Sequence, residues 1–276
     1  MLKKLTGTTP TRRFATGRDF SVLTRHEPLT ALTSVLKKHG GRNAIGRVSV
    51  RGQGGQSKRL YRVIDFNRDN FQVPGKVTSI EYDPNRTSFI AQVNFANGDK
   101  RYILAPDGLR VGSKVVSSDK APLQPGNVMP LSAMPIGTVV HNVELQPGAG
   151  GKLARSAGSS VTLVAKDGGY AHLKMPSGEV RMVSEKNLAS VGVLSNVDWK
   201  NMHFGKAGRR RNMGIRPTVR GVAMDPHSHK HGGGEGRSGI GMPRPVNVYG
   251  KPAYGVKTRR ANKYSDRMII KRRGAK

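Results

Sequence analysis

The segment Gly205–Arg237, GKAGRRRNMGIRPTVRGVAMDPHSHKHGGGEGR, limits the possible folds of this chain more than any other stretch. It opens with Lys206, Arg209, Arg210, Arg211, Arg216 and Arg220. It closes on His227, His229 and His231, then Gly232, Gly233 and Gly234, and ends at Arg237. Glycine at this density lets backbone approach another surface closely and adopt positive φ without a Cβ clash. The segment also has too little apolar surface to offset its own ordering entropy. It is expected to become ordered against a partner, and the arginines make that partner anionic, because the guanidinium fork matches phosphate geometry.

The charge distribution carries the same message. Of the formal net charge of +31, residues 1–60 hold 13 basic and 2 acidic side chains, and residues 199–276 hold 20 and 3. Between them, residues 61–198 are nearly balanced at 15 basic and 12 acidic. A near-neutral body between two cationic ends is the pattern of a folded core with arms for a polyanion. The chain contains no apolar run near membrane-spanning length, no basic amphipathic helix and no apolar signal core after Met1–Lys4, so a membrane is not the expected partner. With no cysteine there is neither a disulfide framework nor a thiolate metal site.

Residues 1–41 read as an extended basic arm with one short helical candidate, Leu29–Lys38, its apolar residues at Leu29, Leu32 and Leu36, ending at Gly40-Gly41. From Arg42 to about Ser118 short strands are expected: around Val48 and Val50, over Leu60–Phe66, and over Val77–Tyr82 before the Asp83-Pro84-Asn85 turn. Phe89, Ala91, Val93 and Phe95 alternate on one face before Asn97-Gly98, the strongest short hairpin signal. A two-residue turn there sets Val93 opposite Tyr102 and Ala91 opposite Leu104.

Prolines 122, 125, 130 and 135 mark Ala121–Pro135 as a linker or boundary. A second strand set follows at Gly137–Leu145, Val161–Ala165, Tyr170–Met175, Val180–Val183 and Val191–Leu194, with a helical turn expected at Ser184–Leu188. Many short strands with close turns and no helical period predict an all-β chain of two small antiparallel barrels. Beyond Trp199 apolar periodicity ends. The cluster Met268, Ile269 and Ile270 is read as part of an arm disordered when free, with docking as an edge strand the alternative.

No phosphate-loop, zinc-protease or nucleophile-elbow motif is present, and Gly52-Gln53-Gly54-Gly55-Gln56 reads as a mobile basic loop beside Lys58 and Arg59. The alternating histidines invite a zinc or copper site, but cysteine is absent and Asp225 and Glu235 are the only nearby carboxylates. Acid–base chemistry by them would need a pocket. The expected role of His229 and His231 is hydrogen bonding or stacking on RNA. Trp199 and Phe204 either stack on a base or cap the second barrel.

Several long motifs then become specific: GGRN (Gly40–Asn43), KRLYRVIDF (Lys58–Phe66), IEYDPNR (Ile80–Arg86), ANGDKRYILAPDGL (Ala96–Leu109), LARSAG (Leu153–Gly158), GKAGR (Gly205–Arg209), RGVAMDP (Arg220–Pro226) and HGGGEGR (His231–Arg237). In this order, over nearly the whole chain, they resemble the bacterial form of the large-subunit ribosomal protein two (universal uL-two) family. The resemblance implies an OB-fold barrel followed by an SH3-like barrel, with long extended basic arms. It implies a primary binder of large-subunit rRNA near the peptidyl transferase centre, with contacts to small-subunit rRNA and neighbouring ribosomal proteins, in the cytoplasmic ribosome. Neither catalysis nor a small-molecule substrate is implied, and no cofactor beyond magnesium associated with the RNA. The sequence departs from the family pattern at His227 and Lys230, and at Pro245–Gly250, while His229 and His231 fall on the family's two histidines.

The expected domains are residues 1–41 (arm), 42–121 (OB-fold), 122–199 (SH3-like) and 200–276 (glycine-rich RNA-binding tail). The rRNA-binding residues expected on the body are Arg42, Arg47, Arg51, Lys58, Arg59, Arg62, Arg86 and Arg155. On the tail they are Lys206, Arg209, Arg210, Arg211, Arg216, Arg220, His229, His231, Gly232, Gly233, Gly234 and Arg237.

Overall fold

The computed structural model describes residues 2–274, and short antiparallel strands carry its architecture. Near the N-terminus β1 (Leu2–Lys4) pairs with β2 (Thr16–Arg18), and between them Pro10 starts the single helical turn α1 (Pro10–Phe14). The helix expected over Leu29–Lys38 does not form. Thr30–Leu32 is a 3-10 turn, and β3 (Thr33–Val35) then pairs with β4 (Leu60–Arg62). The β-branched Thr30, Thr33 and Val35 favour extended backbone, and Leu29 and Leu32 pack against the first barrel instead of along a helix face. The strands expected at Val48 and Val50 reduce to one isolated bridge, Arg42 with Val48.

The first barrel is built on β5 (Gly75–Glu81), β6 (Ile90–Phe95), β7 (Lys100–Leu104) and β8 (Lys114–Val115), in the spatial order β7-β6-β5-β8. The hairpin β6–β7 forms at the expected place, but its register differs by one residue: Val93 faces Arg101 and Ala91 faces Ile103. The turn holds three residues rather than two. Phe95 N–H donates to Asp99 O (2.9 Å) and Gly98 N–H to Phe95 O (3.0 Å), with Gly98 at φ +89°. That is the three-residue hairpin loop in which a glycine takes the left-handed position.

A one-residue slip would ruin a half-buried strand, yet β6 accommodates it because both of its faces are covered. Ala91, Val93 and Phe95 join Val77, Phe89 and Ile103 in one core. Ile90, on the other face, joins Tyr102, Leu104, Ile64 and Leu194 in another. Tyr102 is fully buried; its hydroxyl donates to Glu81 Oε2 (2.7 Å) and accepts from Leu29 N–H (2.8 Å), and burial pushes its pKa up to about 12.

The second barrel uses β9 (Val128–Pro130), β10 (Val139–His141), β13 (Val161–Asp167), β14 (Tyr170–Lys174), β15 (Val180–Ser184), β16 (Leu188–Val191) and β17 (Ile269–Lys271), while β11 (Val143–Glu144) and β12 (Gly151–Leu153) form a side pair. The order β17-β15-β14-β13-β10-β16-β9 is antiparallel throughout and closes over one core that includes Leu131, Met134, Val140, Leu163, Leu173 and Ala189. Three expectations change here. The Ala121–Pro135 linker is partly barrel, because Val128–Pro130 is an edge strand whose terminal proline needs no ladder hydrogen bond, and Leu131 and Met134 are fully buried. Ser184–Leu188 holds a turn, not a helical turn, before β16. The Met268–Ile270 cluster is no loose arm: Ile269 pairs with Arg181 and Lys271 with Val180 at the sheet edge.

The chain is thus all-β, with α1 and α2 (Ala207–Asn212) its only α-helices among the described residues, as OB-fold and SH3-like domains require. No described helix is long and apolar enough to cross a membrane. The chain divides into two units. One is Lys58–Lys206 with the chain before Lys38 and from Arg267 onward; the other is Lys38–Ser57 with Ala207–Asp266.

Candidate nucleic-acid interface

On the barrel unit, the body arginines fall into two kinds. Arg59 donates to Pro84 O (3.1 Å), Arg86 pairs with the buried Asp83 carboxylate (2.5 Å), and Arg155 donates to Gly151 O (3.2 Å). The guanidiniums of Arg155 and Arg86 lie 4.6 and 5.7 Å from the Phe66 ring centroid, a cation–π arrangement that orients planar donors. The structure thus brings Arg86 and Arg155 together on Phe66, leaving Arg155 and Lys58 exposed and Arg59 and Arg86 half-buried. Arg62 is 8% exposed, and its Nη1 donates to Leu60 O (2.9 Å), so its head group is held within the fold.

Other cations escaped the sequence reading because their partners are distant in the chain. Arg18 lies 4.2 Å from the Trp199 ring centroid and donates to the Tyr82 hydroxyl (2.6 Å), tying the N-terminal segment to the barrel. Trp199 therefore packs on a cation, not on the second barrel's core. Arg101 pairs with Asp65 (3.2 Å), Asp99 (3.5 Å) and Asp69 (3.6 Å). Arg68 is buried at φ +60° and donates to Gly126 O (3.1 Å).

The tail unit is not loose either. The Gly52–Gln56 segment is held by a backbone ladder: Gly54 N–H donates to Gly214 O (2.9 Å), Ser57 N–H to Asn212 O (3.0 Å) and Arg216 N–H to Gly52 O (2.8 Å). The mobile-loop expectation fails because backbone pairing, which no side-chain pattern advertises, satisfies its polar groups. A Cβ on Gly41 (φ +75°) would come within 2.1 Å of Val50 O, so only glycine closes the adjoining loop. Asn43 Oδ1 accepts from Ile45 and Arg47 N–H (3.0 Å each), and Arg42, Arg47 and Arg51 all stand exposed on this loop. Lys38, His39 and Arg42 line an open groove of roughly 620 Å³ whose floor includes Gly41, Gly54 and Gly55.

Helix α2 carries Arg209, Arg210 and Arg211 in its last turn, where cations complement the helix dipole. Lys206 before it and Arg216, Arg220 and Arg237 after it are exposed. Among the described residues of the tail unit, the only buried positions are Gly214, His229 and His231, so two imidazoles stand where a core would be. His229 Nδ1 accepts from His231 N–H (3.1 Å), His231 Nε2 accepts from Val246 N–H (3.1 Å), and the ring centroids are 4.8 Å apart. Gly232 N–H closes the turn onto His229 O (2.9 Å) and Gly233 N–H onto Met224 O (3.1 Å). Each accepting nitrogen must be unprotonated, which places the ring protons on Nε2 of His229 and Nδ1 of His231. The two rings lie against each other, and each accepts a hydrogen bond from a backbone amide.

This geometry makes a prediction. His229→Ala leaves the buried His231 N–H without an acceptor, a loss of about 1–3 kcal/mol that appears as faster amide exchange across residues 225–246. His229→Asn, whose Oδ1 sits near the Nδ1 position, retains most of the protection. Equal exchange in the two variants would contradict the arrangement.

The pattern described as Ribosomal Proteins L2, RNA binding N-terminal domain, matches residues 29–117, and that of Ribosomal Proteins L2, C-terminal domain, matches residues 124–250. The chain is also similar to the large ribosomal subunit protein uL2 of Dinoroseobacter shibae, 52% identical over 275 residues that span 100% of this chain and 98% of that protein.

Proposed function

The chain belongs to the ribosomal protein uL2 family, and from that premise we propose that it binds large-subunit rRNA beside the peptidyl transferase centre. It is a structural constituent of the large ribosomal subunit with RNA-binding domains, in a family of structural rather than catalytic proteins. In this reading the exposed cations of both units neutralise rRNA phosphates, neighbouring ribosomal proteins and small-subunit rRNA complete its contacts, and magnesium present at the interface is held by RNA. The protein supports rRNA folding, subunit association, tRNA binding and peptide-bond formation within the cytoplasmic ribosome, while RNA performs the chemistry. The four-part division into arm, two barrels and tail belongs to the same proposal.

The observation that carries it is the tail unit's polarity. Arg211, Arg216, Arg220 and Arg237 face outward while His229 and His231 spend one ring nitrogen each on backbone amides. What the segment offers a partner is phosphate-binding charge rather than a free acid–base pair. The test is in-cell crosslinking followed by sequencing of the attached nucleotides. Crosslinks from residues 205–237 concentrated around the peptidyl transferase centre are expected; crosslinks scattered over messengers would overturn the placement. Ribosomes carrying His229→Asn are expected to form peptide bonds at the wild-type rate.

A further inference from the structure

Beside its cations, the tail unit carries exposed aromatic side chains. Tyr249, Tyr254 and Tyr264 are 74%, 79% and 80% exposed, three aromatic rings turned to solvent within a short span. An isolated exposed side chain needs no explanation, but three large rings on one segment do. Tyr249 is moreover presented by a built turn. Asn247 Oδ1 accepts from Tyr249 N–H (2.9 Å) and Lys251 N–H (3.0 Å), Gly250 N–H donates to Asn247 O (2.9 Å), and Asn247 N–H donates to Lys251 O (2.8 Å). Ala253 N–H closes the next pair on Pro245 O (2.9 Å). The backbone beneath the ring is therefore fixed, and little ordering entropy is lost when the ring is covered.

The setting identifies what covers it. Residues 236–265 contain no carboxylate, while Tyr249 and Tyr254 flank Lys251 and Tyr264 follows Lys263. Rings alternating with cations match an unpaired RNA strand, whose phosphates the lysines neutralise and whose bases stack on the rings. A duplex would satisfy the cations and leave the rings bare, because its bases are already stacked. We infer that Tyr249, with Tyr254 and Tyr264, forms a stacking platform for unpaired rRNA bases, a contact distinct from the phosphate binding above and resting on the same ribosomal assignment.

The experiment uses the full chain with large-subunit rRNA fragments carrying 5-iodouridine. Photocrosslinks are expected at these tyrosines. Tyr249→Ala is expected to weaken binding roughly 5- to 150-fold, the range of one lost base–aromatic stack. Its salt dependence should match wild type, because no phosphate contact is removed, whereas Tyr249→Phe should bind as wild type does. Wild-type affinity in Tyr249→Ala, or an equal loss in Tyr249→Phe, would overturn the platform, as would crosslinking of these tyrosines to protein instead of RNA in assembled subunits. Failure of the wild-type chain to bind any rRNA fragment would sink the ribosomal reading itself, so the two failures are separable.

Discussion

Raising monovalent salt from 50 to 200 mM is expected to weaken binding of the full chain to a large-subunit rRNA fragment by about 10³- to 10⁵-fold, the loss that follows when six to ten neutralised phosphates regain their counterions. The structure says which side chains set that slope. Arg42, Arg47, Arg51, Arg211, Arg216, Arg220 and Arg237 are exposed, so their charge is available to a polyanion. Arg62, Arg68 and Arg86 are committed to carbonyls and a carboxylate inside the fold. Replacing Arg211, Arg216 and Arg220 together by glutamine should lower the slope of log K against log salt by about 2.7 for a duplex-like site. Replacing Arg62 should leave the slope alone and cost stability instead, since its head group is buried. A triple variant with an unchanged slope would show that the tail does not carry the phosphate contacts.

This contrast also shows how far the sequence could be read. Charge partition and glycine content located the cationic ends, because those quantities are properties of composition that survive folding. The all-β class was legible for a similar reason: alternation at Phe89–Phe95 and the turn at Asn97-Gly98 are local signals. What was not legible depended on partners far along the chain. Arg62 reads as one more surface cation until β3 pairs with β4 and buries it. The Met268–Ile270 cluster reads as part of an arm, with an edge strand the alternative, until Ile269 finds Arg181 at the edge of the second sheet. The hairpin register was missed because a glycine with positive φ serves a three-residue loop as well as a two-residue one. The sequence suggests RNA contacts for His229 and His231 but gives no sign that both rings are buried in the free chain. Their burial follows from backbone donors at His231 and Val246, which carry no signature in side-chain identity.

Acid should destabilise the barrel unit before its carboxylates titrate, and His141 is the reason. The imidazole is 1% exposed, and its Nδ1 lies 2.9 Å from Gly192 O, so the neutral ring donates there. Burial brings its pKa down to about 4; the carbonyl opposes the shift and the Arg68 charge reinforces it. In the unfolded chain the same histidine titrates near pH 6.5. Between these two values the unfolded state binds more protons than the folded one, so stability must fall as pH falls. The contribution is complete above pH 6.5 and is lost progressively toward pH 4, for a total of about 3 kcal/mol. Urea denaturation of the RNA-free chain at pH 7 and pH 5 should register about 2 kcal/mol of that total, because pH 5 is still above the folded value. His141→Asn, which retains an N–H donor for Gly192 O but takes up no proton, should be the less stable protein at pH 7 because it packs the site less well. Its stability should then change little between pH 7 and pH 5. If the variant follows the wild-type pH dependence, the acid sensitivity belongs to another group.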